Sequence, residues 1–119
     1  GHTFGHSIET LTNYTEYLHG EALAIGMVQA AWLSLETGRC TEDVPIRITS
    51  VLKKIGLPTQ PPDLKSKDII ESMYHDKKTV HNKLRFILAK NIGSIEIVDD
   101  VPEVSIKAVL EKNKSERSD

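Results

Sequence analysis

The chain has 119 residues and 39% apolar residues, enough for one small domain with a modest core. A formal net charge of −2 gives no electrostatic reason for nucleic acid or an anionic membrane to be a partner. The single cysteine, Cys40, excludes an internal disulfide, and no apolar run approaches the roughly 18 residues of a membrane span. A soluble, cytoplasmic protein is expected.

In chain order, residues 3–15 predict a first helix with Phe4, Ile8 and Leu11 on one stripe. Residues 20–38 predict the strongest helix. It is apolar nearly all round, from Ala22 to Leu35, which marks a central, buried element, and Gly38 suits its end. A third helix is predicted over 43–55, with Val44, Ile48, Val51, Leu52 and Ile55 at helical spacing, Pro45 in its first turn and Gly56 at its stop. Pro58, Pro61 and Pro62 make a stiff connector, after which Ser66 is placed to cap a fourth helix running to Tyr74, with Ile69, Ile70 and Met73 inward. The period then changes to two. Leu84, Phe86 and Leu88 alternate with Arg85, Ile87 and Ala89, and Gly93-Ser94 turns the chain into a second strand, Ile95–Val98. A last helix is predicted over 103–112, with Val104, Ala108 and Leu110 apolar, followed by a charged, frayed tail over 113–119. The fold class is mainly α, one domain over 1–112, with a small hairpin around 84–98.

The chemistry is concentrated at the start, in Gly1-His2-Thr3-Phe4-Gly5-His6-Ser7-Ile8-Glu9 and then His19-Gly20-Glu21. His2 and His6 are four apart, so a helix places both rings on one face. Three readings compete for these histidines. They can be ordinary polar or capping residues. They can form a three-histidine zinc site with an open position. Or two can bind metal while the third serves the substrate and a carboxylate from elsewhere completes the shell. Spacing does not separate the last two. Glu9 and Glu21 are the acids able to fix a ring tautomer behind a metal. Each also has a plain reading as a surface or helix-terminus acid, and Glu21 in a first turn favours the helix dipole. Lys77 and Lys78, after Asp76, read plainly as a solvated helix end, Arg85 as an exposed strand residue or one near a phosphate, and His75 and His81 as surface residues. Trp32 reads as core and Cys40 as a small bland residue.

Taken together, these segments resemble the C-terminal domain of the 3-dehydroquinate synthases. The resemblance is carried by residues 1–9, His19-Gly20-Glu21-Ala22, Ile25-Gly26-Met27, Ile55-Gly56-Leu57-Pro58, Met73-Tyr74-His75-Asp76-Lys77-Lys78, Lys83-Leu84-Arg85-Phe86-Ile87-Leu88 and Ile92-Gly93, and covers about residues 1–100. It implies an α-helical domain whose N-terminal, NAD-binding partner domain is absent from this chain, so the chain is read as the C-terminal part of a longer protein. It implies that His2 and His19 bind the metal, Zn2+ or Co2+, that His6 contacts substrate hydroxyls and handles protons, and that Lys77 or Lys78 binds the substrate phosphate. The third metal ligand is a glutamate outside the chain.

The activity implied by the resemblance is conversion of 3-deoxy-D-arabino-heptulosonate 7-phosphate to 3-dehydroquinate and phosphate. NAD is used and regenerated, and the full-length enzyme is a homodimeric lyase of the shikimate pathway. Two alternatives stand beside it. One is a sister activity, either another NAD- and zinc-dependent sugar-phosphate cyclase such as a 2-deoxy-scyllo-inosose synthase or a polyol dehydrogenase. The other is a non-catalytic helical module. The chain by itself is expected to have no turnover.

Overall fold

The computed structural model describes residues 2–13, 15–75 and 83–117, with backbone only beyond residue 112. The elements are α1 (His2–Leu11), α2 (His19–Glu36), α3 (Asp43–Lys54), α4 (Ser66–Tyr74), β1 (Phe86–Asn91), β2 (Ser94–Val98) and α5 (Glu103–Arg117). The fold is therefore mainly helical with one antiparallel hairpin, as the sequence predicts.

α2 is the centre. It packs against α1, α3, β1 and α5, and α4 packs against α1 and α5. Its all-round apolar character follows from that position, because it feeds three clusters at once. Ala30 and Leu33 join Phe4, Ile69, Ile70, Met73, Phe86, Leu88, Ile106 and Leu110 in the main core. Ala22 and Ile25 meet Ile8, and Ala24 and Val28 meet Leu52. Trp32 is only partly buried and bridges the first and third clusters, with Lys112 Nζ lying 5.7 Å from its ring centre.

Helix ends follow from local chemistry. Gly38 and Gly56 adopt φ values of +75° and +85°, a region costly for side chains with a Cβ. Each closes its helix with the paired reverse bonds of a glycine stop: Arg39 N–H to Ser34 C=O and Gly38 N–H to Leu35 C=O, then Leu57 N–H to Leu52 C=O and Gly56 N–H to Lys53 C=O. α1 stops at Leu11, short of the predicted residue 15. The Thr12 hydroxyl donates to the Ile8 carbonyl at 2.7 Å, and Asn13 turns left-handed at φ 56°. Ser66 is not a cap. Lys65 holds the cap position, and the buried Ser66 hydroxyl donates to Glu111 Oε1 of α5 at 3.1 Å. α5 runs on to Arg117, beyond the predicted stop at 112, through a stretch free of glycine and proline.

Two helices turn differently from the sequence expectation. In α3 the row Val44, Ile48, Leu52 faces in, while the neighbouring row Val51, Ile55 is exposed. In α5 the buried residues are Ile106, Val109 and Leu110, and Val104 and Ala108 face out. Both helices carry more than one apolar row at i, i+4 spacing, and the neighbouring elements cover one of them.

The hairpin pairs Phe86 with Val98, Ile87 with Ile97, Leu88 with Glu96 and Ala89 with Ile95. Phe86, Leu88 and Val98 point into the core. It is tied to α2 by the Ser34 hydroxyl, which donates to the Ala89 carbonyl, and the loop after α2 reaches it through Arg39, 3.5 Å from Glu96 Oε1 and from Asp100 Oδ1 just beyond β2. No helix among the described residues is long and apolar enough to cross a membrane.

Candidate metal and substrate site

The three histidines meet where α1 crosses the start of α2. Burial of Phe4, Gly5, Ser7, Ile8 and Glu9 fixes the rotation of α1. His2 and His6 are thereby left on its outward side, one turn apart, beside His19 in the first turn of α2. Ring centres are 6.1 Å apart for His2 and His6, 6.1 Å for His2 and His19, and 6.4 Å for His6 and His19, a nearly equilateral triangle.

Gly5 lets the two helices come this close. A Cβ built there would lie 3.1 Å from Leu23 Cδ2 and 3.2 Å from the Ala22 carbonyl oxygen, tighter than ordinary packing.

The two candidate acids have different partners. Both Glu9 oxygens lie 3.1 Å from Nδ1 of His19, and Glu9 is only 6% exposed. A carboxylate in that position selects the tautomer with its proton on Nδ1, leaving the Nε2 lone pair free to face outward. Glu21 instead accepts the Leu18 backbone N–H at 2.8 Å. Its contact is with the start of α2, where an acid also suits the helix dipole.

The donor set suits a metal. Two imidazoles on one tetrahedral zinc, with Zn–N bonds of about 2.0–2.1 Å, have ring centres about 5 Å apart. The 6.1 Å between the ring centres of His2 and His19 is longer than that. Among the described residues, however, no three His, Cys, Asp or Glu side chains stand close enough to enclose a cation. The arrangement thus offers a partial ligand set rather than a closed cage.

Beside His2 lies a recess lined by His2, Thr3, Arg85 and Ile87. The Thr3 hydroxyl donates to the Arg85 carbonyl at 2.9 Å, tying the first turn of α1 to the residue that leads into β1. The sequence leaves open whether Arg85 is a plain strand residue. The strand alternation turns it out of the core, but only the tertiary contact places it beside His2. Lys77, Lys78 and His81 lie outside the described residues. His75 ends α4 and is exposed, and Cys40 is a free, half-buried thiol.

Comparison with known proteins gives this geometry a context. Residues 1–79 match the family model for the 3-dehydroquinate synthase C-terminal domain. The 3-dehydroquinate synthase of Desulforamulus reducens is 50% identical over 111 residues, covering 92% of this chain and 31% of that protein. That of Sulfurovum is 46% identical over 116 residues, covering 98% of this chain and 33% of that protein. The chain thus spans about a third of the length of these curated relatives. Among solved structures, a 2-epi-5-epi-valiolone synthase from Streptomyces hygroscopicus with NAD+ and Zn2+ bound superimposes with a TM-score of 0.80 at 27% identity, over 95% of this chain and 32% of that one. A 2-deoxy-scyllo-inosose synthase complexed with carbaglucose-6-phosphate, NAD+ and Co2+ gives 0.78 at 29% identity, over 93% of this chain and 32% of that one. The family match spans both histidine motifs and runs through the four helices that build and support them, so the chain belongs to the 3-dehydroquinate synthase C-terminal family.

Proposed function

We propose that this chain is the metal- and substrate-binding part of a 3-dehydroquinate synthase, acting on 3-deoxy-D-arabino-heptulosonate 7-phosphate to give 3-dehydroquinate and phosphate. The observation that carries the reading is the histidine triangle backed by the buried Glu9, in a chain of this family. His2 and His19 would hold Zn2+ or Co2+, and the rest of the enzyme would supply a glutamate ligand and the NAD-binding domain. When bound, the metal would supply Lewis acidity to a substrate hydroxyl, and NAD+ the capacity to take up and, as NADH, return a hydride. A homodimer in the cytoplasm belongs to the same reading.

The chain's own residues divide the remaining work. Glu9 orients the His19 ring and holds its proton on Nδ1, which leaves the Nε2 lone pair to serve as the ligand atom. His6, one turn from His2 and half-buried, stands beside the ligands and is free to pass protons to and from substrate hydroxyls. Lys77 and Lys78 would supply positive charge to the substrate phosphate. Positioning the substrate at this face is then the main task of the domain.

Assays of the full-length enzyme test the reading. Phosphate release from the heptulosonate phosphate without net NADH is expected. Accumulating NADH would point to a polyol dehydrogenase, and inertness toward this substrate to a sister cyclase. The higher identity to 3-dehydroquinate synthases than to the two solved cyclases favours the first outcome. His2→Ala and His19→Ala should each weaken zinc binding in a chelator competition, whereas His6→Ala should keep zinc and lose about 10²–10⁴ in turnover. Unchanged zinc affinity in both ligand variants would sink the assignment.

A further inference from the structure

The recess beside His2 contains an arginine with no task in the chemistry above. The recess is lined by His2, Thr3, Arg85 and Ile87, with no acid among them. Arg85 is exposed, and among the described residues no carboxylate forms an ion pair with it. Arg39, by contrast, is held by Glu96 and Asp100. The strand period puts Arg85 on the same side as Ile87, opposite the buried Leu84 and Phe86. A volume of about 500 Å³ gives the recess room for a small molecule and not just an ion.

Bonds on both sides fix where Arg85 sits relative to the histidines. Its carbonyl accepts the Thr3 hydroxyl at 2.9 Å, and Thr3 is the chain neighbour of His2. The next residue, Phe86, pairs with Val98 in the hairpin, and its ring centre lies 5.4 Å from that of the buried Phe4. The backbone of Arg85 is thereby anchored between α1 and β1. A guanidinium on an anchored base offers a planar fork of donors that matches two oxygens of a carboxylate or a phosphate. We propose that Arg85 binds an oxyanion of the substrate beside His2, so that one recess takes a charged group at Arg85 and hydroxyls toward the histidines. The proposal deepens the function given above and rests on it for the substrate, whose carboxylate and phosphate present the fork with the same chemistry.

Full-length enzyme loaded with zinc and NAD+ tests it, as wild type, Arg85→Gln and Arg85→Lys. One measurement needs no turnover: calorimetric titration with inorganic phosphate, and with 3-dehydroquinate, which has a carboxylate and no phosphate. Arg85→Gln should weaken binding of one of the two about tenfold, and Arg85→Lys should lose less. A loss confined to phosphate identifies the substrate phosphate as the group held, and a loss confined to 3-dehydroquinate identifies the carboxylate. Affinity for both within threefold of wild type would overturn the proposal, as would a wild type that binds neither at millimolar concentration. In turnover of the heptulosonate phosphate, Arg85→Gln should raise KM about tenfold and leave kcat within about threefold. Zinc affinity should stay at the wild-type value. Its loss would mean that Arg85 acts through His2, and that too would overturn the proposal. A wild type inert toward the heptulosonate phosphate counts against the function, while the calorimetry still decides the anion site.

Discussion

At the α1–α2 crossing the chain covers its own apolar surface and leaves polar rings outside. On the outer face of the hairpin it does the reverse. Phe4 and Ile8 are buried while His2 and His19 are exposed, whereas Ile95 and Ile97 are exposed on strands whose other side buries Phe86, Leu88 and Val98. The packing of the crossing is completed within the chain: Glu9 already has His19, and Gly5 already meets Leu23 and Ala22. The hairpin is finished on one side only. Local order is therefore no guide to whether a surface is complete. What separates the two regions is whether each apolar group has found a partner and each buried charge a counterpart.

Substitutions can break or sharpen this contrast. The largest effect is expected for Phe4→Ala. Phe4 is 1% exposed, with its ring centre 5.4 Å from that of Phe86, so it joins the two regions, and its loss should cost about 3–5 kcal/mol in urea unfolding. A cost near that of a surface change would mean that the regions do not share a core. Glu9→Ala should come next, lowering zinc affinity about 10–100-fold in the full-length enzyme with little change in helical circular dichroism. Unaltered affinity would show that Glu9 does not orient His19. Gly5→Ala should cost about 1–3 kcal/mol, because the new methyl meets backbone at Ala22 as well as the movable Leu23. An accompanying loss of zinc affinity would show that the crossing distance also sets the spacing of the rings. The smallest effect belongs to the hairpin. Ile95→Thr should change the stability of the 119-residue chain by within about 0.5 kcal/mol, since its side chain is mostly in solvent. A large loss in the chain by itself would mean that the face is already covered there.

Much of this was legible in the sequence. The number and order of elements, the central place of α2, the glycine stops and the one-turn spacing of His2 and His6 all follow from residue type and period. The histidine motifs point to a candidate site through their resemblance to a family, since spacing leaves the division of roles open. The misreadings share a physical origin. Periodicity states which residues share a row but not which row a neighbour covers, so Val104 and Ala108 were expected to matter to α5 where Ile106 and Val109 do. Ser66 had the chemistry of a cap, but its hydroxyl is engaged by Glu111, 45 residues away. Likewise, the separate tasks of Glu9 and Glu21 depend on which atom each carboxylate reaches.

The bond from Thr3 to the carbonyl of Arg85 closes a span of 82 residues, whereas His6 and His19 are thirteen apart. Chain closure over the longer span costs about 1.6 kcal/mol more in entropy. The histidines can therefore gather early, and the wall that Arg85 and Ile87 contribute arrives only after the later elements have been made. During synthesis the histidine corner would exist before the recess beside it. Pulsed hydrogen exchange during refolding should accordingly protect amides of α1 and α2 ahead of those in β1.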